Sequence, residues 1–241
     1  MLQMAMRQMV EEKGPMAPLE RTKSLTERAL DMIRQEIVVG RYEFGAALSE
    51  IALADDLGIS RTPVREALAR LQQEGLVIVR PQRGTFVFQL TEDEFVDICD
   101  CRTVLETAAF RFGVARSRAA LADSLAGICD EMAIAREAGN TPAYLHLDSA
   151  FHEVLFKHCD NRYLGESYRL ISGRMSALRT RLGTDPNHMN KSYREHQEIA
   201  QAARNGDINE GVSLLEGHIG RKEGSYWKLR QETKPGVFES V

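Results

Sequence analysis

The sequence predicts a mainly α protein in two parts: three short helices closed by a β-hairpin, then an all-α bundle. Up to about residue 90, helical stripes give way to two β-type runs around a turn, whereas from Thr91 onward no strand-like alternation interrupts the helical spacing. Charge and histidine are also unevenly placed. Residues 60–90 hold five arginines (Arg61, Arg65, Arg70, Arg80 and Arg83) against Glu66 and Glu74, and all six histidines fall from His146 onward. Two modules with different chemistry produce such asymmetry.

The bulk composition sets outer bounds. The 241 residues make room for one large domain or two small ones, and 43% hydrophobic with 27% charged residues argues against disordered and fibrous classes. No apolar run approaches the ~18 residues of a membrane span. Met1 to Gly14 mixes Gln3, Arg7 and Gln8 among its apolar residues, unlike the continuous stretch of a signal peptide. Cys99, Cys101, Cys129 and Cys159 follow no framework spacing and read as reduced thiols, so a soluble cytoplasmic protein is expected. The net charge of −4 discourages a nucleic-acid partner only until the basic surplus on residues 60–90 is set apart from the acidic remainder.

Each element has a local reason. Residues 1–23, with Gly14, Pro15 and Pro18, read as a mobile tail whose Leu2, Met6, Met9 and Val10 share a turn-spaced face. Ser24 and Glu27 fit a capping box, opening a helix that runs to about Val39 and stops at Gly40. A second helix spans about Ser49 to Leu57, with Leu48, Ile51 and Leu53 as buried anchors and Gly58 as its end. The third has Thr62 as N-cap, Pro63 at the first helical position, and a stripe of Val64, Ala67, Leu68 and Leu71 ending at Gly75. Leu76–Val79 and Thr85–Phe88 then bracket the turn sequence Pro81-Gln82-Arg83-Gly84. This is the order of a winged helix-turn-helix over residues 24–90.

A second capping box, Thr91 and Glu94, leaves almost no linker before the bundle assigned to residues 91–235. Six helices are expected, near 92–116, 118–138, 142–158, 162–182, 187–205 and 207–230, with breaks at Asn140-Thr141-Pro142, Asp160-Asn161, Gly183 to Pro186 and Asn205-Gly206-Asp207.

The second helix of a helix-turn-helix lays its N-terminal residues against base edges in the major groove. Here the apolar stripe turns Arg65, Ala69 and Gln72 outward, with Ser60, Arg61 and Thr62 at the tip. Arginine's forked donors suit guanine, small hydroxyls and helix amides suit phosphate, and Gly84 on the wing allows close backbone approach beside Arg83. A lone arginine is better explained as a solubilising residue; Arg61, Arg65 and Arg83 together are not. Arg70 points elsewhere and reads as a structural ion-pair residue.

The run Ser60-Arg61-Thr62-Pro63-Val64-Arg65-Glu66-Ala67-Leu68, followed by Leu71, Glu74-Gly75-Leu76-Val77 and Pro81-Gln82-Arg83-Gly84, closely resembles the GntR family of bacterial transcription regulators. The resemblance covers residues 24–90. It implies that Arg61 and Arg65 contact bases or phosphates of double-stranded operator DNA, with Thr62 and Gly84 supporting them; Ser60 at the helix tip and Arg83 on the wing join this surface by their position in the sequence. Family members often carry a basic residue where Ile51 stands here, so one contact from the preceding helix is missing.

Residues 92 to about 230 resemble the FCD effector domain of the FadR subgroup, on more scattered residues. Independently, Asp148 and His152 are i, i+4 and leave one helix face together, while His196 and His218 lie among apolar neighbours on the fifth and sixth bundle helices. Each histidine alone is an ordinary helix residue. All four match the resembling domain's metal pattern, which implies a divalent ion (zinc, nickel, manganese, cobalt or iron). Arg102 has an i, i+4 partner in Glu106, and the resemblance implies that it holds the carboxylate of a small organic acid effector. His146, His158 and His188 match nothing, Asn161 is explained by helix capping, and Cys99 and Cys101 point to different sides of a helix.

The resulting expectation is a homodimeric regulator reading a pseudo-palindrome, with repression the common mode in the resembling family and the acid acting as effector. The alternative is a metal-dependent enzyme acting on a small organic acid, with Glu153 or Glu195 as base. That reading leaves the Arg61/Arg65 array without a purpose.

Overall fold

The structure, a computed structural model, describes residues 23–182 and 186–219. The expected tail face (Leu2, Met6, Met9, Val10), the break beginning at Gly183, and the ends placed near 230 and 235 lie outside these residues. Helix α1 (Leu25–Val38) opens with the capping box: the Glu27 amide donates to Ser24 Oγ, and the Ser24 amide donates to Glu27 Oε2. Then come β1 (Ala47–Leu48), α2 (Glu50–Leu57), α3 (Arg61–Gln73), β2 (Val77–Arg80) and β3 (Gly84–Val87). The strands form an antiparallel sheet of order β1-β3-β2, with Ala47 opposite Phe86 and Arg80 opposite Gly84. The third strand, β1, is two residues long, too short to leave a periodicity.

Three details of this part differ from expectation. Helix α3 begins two residues earlier, with Ser60 as its N-cap in extended backbone, so Thr62 lies inside the first turn and Pro63 is the third helical residue. Nothing is lost, because the N–H that proline lacks is still one of those a helix start leaves unpaired. Ile51 is 57% exposed rather than a buried anchor, while Leu48 and Leu53 are buried. Arg70 is exposed at the lip of a cleft and forms no ion pair among the described residues.

Below the sheet, α4 (Glu92–Glu137) starts at the Thr91/Glu94 capping box and breaks its helical geometry only at Ser117, where the two expected helices meet. Helices α5 (Thr141–His158), α6 (Arg162–Leu182), α7 (Pro186–Asn205) and α8 (Ile208–Ile219) complete the bundle. Asn140 caps α5 and Asn161 caps α6, each accepting backbone N–H bonds of the first turn through its side-chain oxygen.

Two main cores organise the chain. One gathers Ile33 and Ile37 of α1, Val64, Leu68 and Leu71 of α3, and Leu76, Val87 and Phe88, together with Phe95 and Ile98 of α4 and Ile171, Met175 and Leu178 of α6. The winged part therefore shares its core with the bundle. The other joins Phe110 and Leu121 of α4 to Phe151 and Leu155 of α5, Ile199 of α7 and Leu215 of α8. Fully burying each such side chain contributes ~1.5–3 kcal/mol. Among the described residues, no helix is long and apolar enough to cross a membrane.

Candidate functional site

The apolar stripe Val64/Ala67/Leu68/Leu71 is buried, which turns Arg61, Thr62 and Arg65 into solvent at the start of α3. Sequence reasoning missed Glu50, at the start of α2. Its carboxylate accepts from Arg65 Nε at 3.1 Å and Nη2 at 2.8 Å, and from Arg61 Nη2 at 3.2 Å. The Arg65 hydrogen bond, aided by Arg61, holds the Glu50 carboxyl below the usual carboxylate range. One acid thus pre-orients two guanidiniums, and Ile51 stands exposed beside it. On the wing, Arg83 and Gly84 are exposed, and Gly84 has φ +109° with open space where a Cβ would sit. Backbone there is free to approach a strand of another molecule closely.

Inside the bundle, the expected residues meet. Ligand-type atoms of His152, His196 and His218 lie within 4.8 Å of one another, all three side chains buried. Asp148 Oδ1 stands 3.8 Å from His196 Nε2 and accepts a bond from Ser192 Oγ at 3.3 Å. The i, i+4 spacing on α5 places Asp148 and His152 together; α7 supplies His196 and α8 His218.

The surroundings aim these rings. His152 Nδ1 donates to Glu106 Oε2 at 2.7 Å, and His218 Nδ1 pairs with Glu195 Oε2 at 2.8 Å, which leaves both Nε2 atoms facing each other at 3.3 Å. A carboxylate behind each imidazole is how metal-ligating histidines have tautomer and orientation set. Arg102, 1% exposed, donates to Glu106 Oε1 at 2.5 Å and through Nη2 to His152 Nε2 at 2.7 Å. An ion and this guanidinium would therefore compete for one lone pair. Arg179 of α6 pairs with Asp148 Oδ2 at 3.3 Å. Burial alone would raise the Asp148 carboxyl, but the Arg179 guanidinium beside it leads the opposing effects and the group stays ionised. Burial, with the nearby charge of Arg102, pushes the His152 and His196 rings far below the usual histidine range, so they are neutral, as ligation requires.

His196 supplies the test of fit. It is fully buried, yet neither ring nitrogen has a hydrogen-bond partner. Buried polar atoms are normally satisfied. Two orphaned nitrogens beside two other imidazoles and a carboxylate fit a cation with borderline-soft chemistry.

Of the other residues weighed, His158 bonds Ser124 Oγ at 2.9 Å, His146 is exposed, and Cys99 is buried while Cys101 is exposed, as their spacing implied. Glu106, Glu195 and Arg179 escaped notice as a supporting shell. The only trace of one was the Arg102–Glu106 spacing.

Comparison with known proteins agrees with both halves of this arrangement. Residues 25–87 match the bacterial regulatory proteins of the gntR family, and residues 97–221 match the FCD domain. The chain belongs to the GntR family. The gluconate operon transcriptional repressor of Bacillus subtilis is 31% identical over 186 residues, covering 73% of this chain and 74% of the relative. The HTH-type transcriptional repressor RspR of Escherichia coli is 23% identical over 221 residues, covering 92% and 97%. Two solved structures share the fold at TM-score 0.75 and 22% identity, covering 88% of this chain: a GntR transcriptional regulator from Rhodococcus sp. RHA1 and E. coli McbR/YncC, covered over 100% and 99% of their chains.

This GntR-family chain is a DNA-binding transcriptional regulator, and its family and relatives are regulators rather than enzymes. Glu195 is held by His218 and Lys191, and Glu153 is exposed on the cleft side of α5.

Proposed function

We propose that the protein is a cytoplasmic, homodimeric repressor that binds a pseudo-palindromic operator and responds to a small carboxylate-bearing effector at a metal site. The exposed Arg61/Arg65 pair at the start of α3, pre-oriented by Glu50, carries the DNA half of this reading. Arg61 and Arg65 reach bases or phosphates, Ser60 and Thr62 line the helix tip, and Arg83 and Gly84 of the wing approach the backbone. A two-fold dimer would present two such helices to two half-sites.

Asp148, His152, His196 and His218 would hold a divalent ion, with Glu106 and Glu195 behind two of the imidazoles. Bound there, the ion would supply a Lewis-acidic anchor for one end of the effector. Arg102, buried beside His152, offers planar paired donors for its carboxylate. The orphaned nitrogens of His196 support this half of the reading.

Selection of genomic DNA fragments on the purified protein at near-physiological salt tests the whole. An enriched pseudo-palindrome supports it; salt-sensitive, sequence-blind binding sinks it. Arg65→Ala should weaken operator binding by ~1–3 kcal/mol if the residue holds a guanine, and unchanged affinity would remove that role. Glu50→Gln should act oppositely on bulk binding. Released from their shared carboxylate, Arg61 and Arg65 would bind non-operator DNA more tightly and steepen the log-log salt slope by about one, while operator preference falls. A slope identical to wild type in salt titration would show that Glu50 orients neither arginine.

A further inference from the structure

We infer that α6 is the strut through which the histidine centre acts on the DNA-reading part, with Arg179 and Arg181 of its last turn as the holds on its two faces. The inference rests on the metal reading above and extends it to the route of the signal. Successive helix residues turn by ~100°, so two residues two apart leave nearly opposite faces. Arg179 faces inward. It pairs with Asp148 Oδ2 at 3.3 Å, donates to Ser149 Oγ at 3.0 Å, and donates to the Tyr168 hydroxyl at 3.3 Å three turns back on the same face. The deepest charged group on α6 therefore senses the position of the Asp148 carboxylate directly.

Arg181 faces the other way, into the winged part. Its Nη2 donates to the Ile37 carbonyl at 3.1 Å and to the Tyr42 carbonyl at 2.5 Å, and its guanidinium lies 3.6 Å from the centre of the Phe44 ring. It thus clasps the end of α1 and the segment leading to β1. The same outer face of α6 is seated without slack. A Cβ on Gly173 would stand 3.0 Å from Leu76, and one on Gly75 would stand 2.9 Å from the Arg174 guanidinium. Leu178 and Met175 of α6 complete the shared core. A packed element with a polar hold at each side transmits a shift as a body. The competing route is α4, which leaves the wing at Thr91 and carries Arg102 and Glu106. Phe95 and Ile98 of α4 pack into the same shared core, so the two routes make different predictions only for Arg181.

Hydrogen exchange on the full chain, freed of metal and then given zinc ion, separates the routes, with calorimetry reporting zinc binding independently. In wild type, zinc should slow exchange around residues 148–152 and 192–199, and also slow residues 36–44 by about fivefold or more, the low end of coupling between linked sites. Arg181→Met should keep the slowing at the centre and lose it at residues 36–44. Arg181→Lys, which retains charge but not the paired donors, should lose most of it while removing doubt about folding.

Equal slowing of residues 36–44 in wild type and Arg181→Met overturns the inference in favour of α4. So does wild-type protein that binds zinc without any change at residues 36–44. Failure of wild type to bind zinc in the calorimeter removes the metal reading itself, and this inference with it.

Discussion

His196→Leu is expected to leave the metal-free protein at least as stable as wild type and to abolish all stabilisation by added zinc. The ring buries two polar nitrogens without partners, and each unsatisfied buried group costs ~1–3 kcal/mol. Against that stands the loss of its stacking on Phe151, centroids 4.1 Å apart, worth ~0.5–1.5 kcal/mol. The balance favours leucine while no ion is bound. Wild type, by contrast, should gain ~2.7 kcal/mol at a zinc concentration one hundred times the dissociation constant, a rise of roughly 5–10 °C in unfolding temperature. Thermal unfolding of both proteins, in chelator and in zinc, is sufficient. A variant that is destabilised in chelator yet still rises with zinc would make His196 a structural residue.

Gly211→Ala is expected to be the most damaging single methyl addition in the bundle. A Cβ on Gly211 would stand 2.2 and 2.3 Å from two ring carbons of Phe110, which is completely buried and has nowhere to turn. Overpacking of this kind costs typically ~1–3 kcal/mol, and the backbone must part to relieve it. Helix α8 would then lift from α4. His218, two turns further along α8, would be drawn from its place opposite His152, so zinc affinity should fall along with stability. Restoring space with Gly211→Ala/Phe110→Leu should recover both in part. If zinc affinity survives in the single variant while the unfolding temperature drops, α8 tolerates the shift without moving His218.

The parts of this molecule that were legible in its sequence are those determined within one or two turns of chain. The boxes at Ser24 and Thr91, the α3 stripe, the cap at Asn161 and the breaks near Asn140 and Ser117 all depend on neighbours three or four residues away. Asp148 and His152 were visible for the same reason. Ile51 was misassigned because the eight residues of α2 give too few turns to define a face. Thr62 was misassigned because Ser60, two residues earlier, offers an equally good cap. Glu50, Glu195 and Arg179 could not be placed at the sites they support, and Glu106 showed only its pairing with Arg102, since the remaining partners lie on other helices and meet only when the helices pack.

The shared core has a consequence for how such regulators can diversify. Because Phe95, Ile98, Ile171, Met175 and Leu178 of the bundle interlock with Ile33, Leu68, Leu71 and Leu76, the reading head is no detachable cassette. Grafting a relative's head onto this bundle would set foreign side chains against Gly173 and Arg181, leaving voids or clashes at the graft. Viable hybrids should be those that bring α6 with the head, and inheritance of new DNA preferences along this lineage should proceed by changes on the outer face of α3 rather than by wholesale exchange.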